Sequence, residues 1–98
     1  MRDYEMTVVI RSDLDQKMRE ELTNRIMGWV PLPEGEDVPK PVINQWGRRK
    51  LAYPINKERE GYYILIETQM EAEGISEMER NMSYVEEILR HLVVRKEG

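Results

Sequence analysis

The chain has no cysteine. That excludes disulfides, thiolate metal sites and cysteine nucleophiles, and fits a cytoplasmic location. It has a single histidine, His91, with no sequence neighbour that would complete a triad or a metal set. No apolar run approaches the roughly 20 residues a membrane-spanning helix needs, and no signal-peptide pattern opens the chain. No glycine-rich loop precedes a helix. Gly28 and Gly61 therefore belong to no phosphate-cradling fingerprint, and no cofactor, metal or small-molecule substrate is expected.

What is present is an ordinary balance for 98 residues, 35% charged and 40% hydrophobic. Such a length makes one domain, residues 1–98, with a single two-layer core. The net charge of -4 argues against binding nucleic acid by bulk electrostatics alone. Local distribution overrides the total, however. Six of the fifteen cations, Arg48, Arg49, Lys50, Lys57, Arg95 and Lys96, fall in two short stretches. A polarised surface with one basic end is the expectation.

Period-two alternation of Met6, Val8 and Ile10 predicts a strand over Tyr4 to Ile10, with Val9 on its other face. Ser12 and Asp15 stand in capping-box spacing before a helical stripe of Leu14, Met18, Leu22 and Ile26. Residues 31–41 hold four of the five prolines and read as a stiff surface loop. A second strand runs from about Val42 to Ile55, with Pro54 tolerable only at an edge or strand end. The segment NKEREG reads as a turn containing Gly61, and Tyr62 to Met70 as the strongest strand. Ser76 and Glu79 are spaced to cap a second helix, whose apolar face is Ile75, Met78, Met82 and Val85. Ile88 to Lys96 closes the chain as a strand.

The order strand, helix, strand, strand, helix, strand predicts an α+β ferredoxin-like split βαβ sandwich. Its four-stranded antiparallel sheet carries two helices on one face and leaves the other bare. If the helices cover Met6, Val8 and Ile10, then Val9, Tyr63 and Leu65 lie on the bare side as a docking surface.

His91 reads as a strand residue without chemistry. The acidic pairs Glu20-Glu21, Glu71-Glu73 and Glu86-Glu87 read as solvated surface rather than metal or acid-base sites. Methionines 18, 78 and 82 read as core filling. An RNA-recognition motif is disfavoured, because Glu60 replaces the cation and Ile64 the second aromatic in EGYYILIE. An acyl-phosphate hydrolase on this fold is disfavoured because the acidic SDLD segment after Arg11 would repel phosphate. The run Arg48-Arg49-Lys50 reads either as a solvated edge that discourages strand pairing or as a phosphate site. Successive cations on a strand reach both faces, which favours the second reading. A partner-binding module without RNA is a further alternative.

The segment WGRRKLAYPI, followed closely by GYY, resembles the ribosomal protein S-six family, the sixth protein of the bacterial small ribosomal subunit. The opening MRDYEMTVVI with LDQ just beyond, and the closing HLVVRK, are similar to the family's ends. The resemblance implies a ferredoxin-like fold and no catalytic activity. It implies binding to the central domain of small-subunit (16S) ribosomal RNA as a heterodimer with the eighteenth small-subunit protein, which supplies much of the positive charge. By position, Arg48, Arg49 and Lys50 match the family's basic run, Arg2 the cation at its start, and Arg95, with Lys96 beside it, the cation after its Val-Val pair. These are the expected RNA contacts, with Tyr63, Leu65 and Val9 as partner contacts. The proline-rich linker is longer than the family leads one to expect, and the extended tail of many members is not present.

Overall fold

Met6, Val8 and Ile10 alternate along strand β1 (Arg2–Arg11) and are fully buried, as side chains two apart on a strand share one face. The structure is a computed structural model that describes residues 2–35 and 37–96. The side chain of Arg2 lies outside the described residues.

Helix α1 (Gln16–Trp29) begins three residues later than the capping-box spacing predicts. Asp15, not Ser12, is the N-cap, and its carboxylate accepts the Met18 backbone N–H at 2.8 Å. A cap of this kind contributes about 1 kcal/mol. Leu14, Leu22, Ile26 and Val30 form the buried stripe, but Met18 is 47% exposed. It borders a hollow with Glu21, Arg25 and Glu87 at the rim of the sandwich, so the expectation of a core Met18 is wrong. Met78 and Met82 are core residues, as expected.

The loop after α1 is not purely a surface feature. Pro33 is buried, and the Pro31 carbonyl accepts the Glu71 backbone N–H at 2.8 Å. A Cβ at Gly74 would lie 2.5 Å from Pro31 Cβ, so glycine is what lets the two segments touch.

Strand β2 (Val42–Ile55) turns into β3 (Glu58–Met70) through Asn56 and Lys57 alone. Both have positive φ, 49° and 68°, which matches the twist of a two-residue hairpin. The turn is thus shorter than NKEREG suggests, and Gly61 sits inside β3. A 3-10 turn (Ala72–Gly74) leads into helix α2 (Ile75–Ser83), where Gly74 occupies the N-cap without a side-chain bond. Ser76 does not cap. Strand β4 (Ile88–Arg95) closes the sheet.

The sheet order is β2-β3-β1-β4, with every neighbouring pair antiparallel. This is the ferredoxin-like arrangement expected. The core lies between the helices and the two central strands, where Met6, Ile10, Ile64, Ile66, Ile26 and Met82 are all at or near zero exposure.

Candidate nucleic-acid interface

Register assigns each side chain to a face. Val9 pairs with Tyr63 and Arg90, Thr7 with Leu65 and Leu92, and Glu5 with Glu67 and Val94. These lie opposite Met6, Val8 and Ile10, on the side without helices. Val9, Tyr63 and Leu65 therefore share the expected face. Val9 is nonetheless only 3% exposed. A Cβ at Gly61 would lie 2.3 Å from Val9 Cγ1 and 3.4 Å from Leu51 Cδ2, so Val9 rests over the bare glycine with Leu51 beside it. It supports the surface and is not available to a partner. Tyr63 and Leu65 are half-buried.

The three cations of β2 divide between the faces. Arg48 pairs with Tyr62 and Lys50 with Glu60, whereas Arg49 pairs with Gly61 on the helix-free side. All three are exposed. Among the described residues none of them forms an ion pair. Arg49 instead sits over the Trp46 ring, 5.1 Å from its centroid.

The C-terminal cations differ. Lys96 Nζ lies 3.3 Å from a Glu67 carboxylate oxygen and 3.5 Å from one of Glu5. Glu5 and Glu67 face each other across the strands, and the ammonium offsets their repulsion. The hydrogen bond to Glu67 chiefly, and the charges of both acids, hold Lys96 above the ordinary lysine range. Its contribution to the fold is present below the ordinary lysine pKa and is lost as pH rises through the raised one. Lys96 is thus engaged within the chain. Arg95 is exposed and pairs with Tyr4, on β4. Because β2 and β4 are opposite edges, Arg95 and Lys96 stand at least three strand spacings, roughly 14 Å, from the β2 run. The single basic end expected from composition does not form.

Other side chains of the same face escaped the sequence reading. Leu92, Val94 and Val42 are exposed on it, and Arg90 donates to the Tyr53 hydroxyl at 3.4 Å. The alternation in Ile88 to Arg95 carried that signal for Leu92 and Val94, once His91 is placed on the helix side. There His91 Nε2 lies 3.0 Å from Glu79 Oε2 and ties β4 to α2. Among the described residues no cluster of His, Asp or Glu could hold a metal ion, and no helix is long and apolar enough to cross a membrane.

Comparison with known proteins agrees with this fold. The family profile described as ribosomal protein S6 matches residues 3–95. The small ribosomal subunit protein bS6 of Alkaliphilus metalliredigens is 33% identical over 95 residues, covering 97% of each chain. That of Carboxydothermus hydrogenoformans is 34% identical over 97 residues, covering 99% of this chain and 98% of the relative. The crystal structure of 30S ribosomal protein S6 from Thermotoga maritima superposes with a TM-score of 0.79 at 28% identity, covering 97% of this chain and 87% of that one. Alike in sequence and fold over almost its whole length, the chain belongs to the ribosomal protein S6 family, non-enzymatic constituents of the small subunit of the cytoplasmic ribosome.

Proposed function

We propose that the chain, acting as one domain over residues 1–98, binds the central domain of 16S ribosomal RNA as a heterodimer with the eighteenth small-subunit protein. The β2 edge meets phosphate and the helix-free face meets the protein. One observation carries the reading: Arg48, Arg49 and Lys50 stand exposed, adjacent and, among the described residues, without carboxylate partners, beside a sheet face that presents Tyr63, Leu65, Leu92 and Val94. Guanidinium forks bind phosphate oxygens bidentately and fix orientation without reading sequence. Arg2 and Arg95 are secondary candidates in this reading. Lys96 contributes only if Glu5 and Glu67 release it.

With a net charge of -4, the chain alone should bind RNA weakly. A basic partner pools its contacts with these. Gel-shift titrations of central-domain RNA are expected to show poor binding by the chain at physiological salt and tight binding once the partner is added. Tight binding by the chain alone would refute pooling, and no effect of the partner would refute the heterodimer.

A further inference from the structure

At Trp46 strand β2 carries one residue too many. Gln45 pairs with Ile64 and Gly47 with Tyr63, which leaves Trp46 as the extra residue of a β-bulge. Gly47 has φ +86°, in the left-handed region that glycine adopts without strain. The bulge turns the indole away from the ladder, and Trp46 is 48% exposed. The Arg49 guanidinium braces one side of the ring within cation–π range. Arg48 and Lys50 flank that arginine, exposed and unpaired among the described residues.

We infer that Trp46 is a stacking platform for an unpaired nucleobase, with the neighbouring cations holding the phosphates on either side of it. The inference rests on the RNA-binding reading above and adds to it a contact to a base. Phosphate binding alone uses cations and has no need of an outward-facing indole. An apolar protein surface would lie poorly on a tryptophan followed within four residues by three cations, whereas a polyanion with flat, unpaired rings fits both features. RNA is read at unpaired bases by stacking on aromatic rings and guanidinium planes. Arg49 also fixes the pose of the ring, so less rotamer freedom is lost when a base arrives. Stacking tolerates any base, so the site selects unpaired nucleotides over duplex and not one sequence over another.

The test is the anisotropy of labelled oligoadenylate titrated with the full chain at several low salt concentrations, alongside inorganic polyphosphate. Trp46→Leu is expected to weaken oligoadenylate binding roughly 5- to 150-fold at every salt without changing the salt slope. Trp46→Phe should retain most of the affinity, and polyphosphate binding should be the same in all three proteins. In a Trp29→Phe background the remaining Trp46 emission should be quenched by oligoadenylate and not by polyphosphate, which tests the contact without altering Trp46. Equal affinity of Trp46→Leu, an equal loss for polyphosphate, or no quenching would each overturn the stacking platform. If instead Arg48→Ala and Lys50→Ala leave both affinity and slope untouched, the phosphate reading fails whatever Trp46 does.

Discussion

Gly61→Ala is expected to destabilise the fold by about 1–3 kcal/mol, and Gly61→Val by more. The cause is the 2.3 Å approach of Val9 Cγ1 to the position a Cβ would take. Val9 is β-branched and so stiff at χ1, and it is already enclosed, with Leu51 Cδ2 also near that position. It cannot swing aside, and the central β1–β3 pairing would have to shift instead. Against a total stability of roughly 5–15 kcal/mol that is a large share. Because the clash is with one side chain, Val9→Ala should relieve it. The double variant is expected to be more stable than the sum of the single losses predicts, by about 1 kcal/mol or more. Urea denaturation midpoints of the four proteins decide the matter. Additive losses would mean that Gly61 is required for its backbone and not for the room it leaves Val9.

Arg48→Ala combined with Arg49→Ala should have the opposite profile. Binding of central-domain RNA in the presence of the basic partner should fall roughly 10- to 100-fold, and the slope of log K against log salt should flatten by about 0.7–0.9 for each phosphate that is no longer neutralised. Stability should barely change, since both side chains are exposed and neither forms an ion pair among the described residues. The stack of Arg49 on Trp46 is worth about 0.5–1 kcal/mol at an exposed site. Superimposable salt lines for the variant and the parent would remove these arginines from the RNA site.

The layered fold was legible because its core is periodic. Met6, Val8 and Ile10 alternate in the sequence and are buried together, and Met78 and Met82 at helical spacing fill the same core. Helix starts were less legible. Capping-box spacing fits Ser12 and Ser76, yet Asp15 caps α1 and α2 begins from a 3-10 turn. Met18 has the right spacing for the core stripe, but spacing does not say where a helix overhangs the rim of its sheet. Two features of the candidate interface depend on strand pairing and not on local pattern. Basic runs far apart in sequence sit on opposite edges because the order is β2-β3-β1-β4. Lys96 reads as a free cation until register brings Glu5 and Glu67 to it. Trp46 was within reach, since a glycine inside a strand pattern, here Gly47, is the usual mark of a bulge.

No residue of β2 is fully buried, and an open cleft lined by Thr23, Asn24, Ile43 and Gln45 separates it from α1. The strand is moored by its ladder to β3 and by little else. Its amides are therefore expected to trade hydrogen for deuterium through local fraying, well before those of β1 and β3, which wait for global unfolding. Equal protection across all four strands would disprove this gradient. A soft hem on a hard cloth can mould itself to an RNA junction and stiffen only there, so the last increment of rigidity would come from the ribosome and not from the chain.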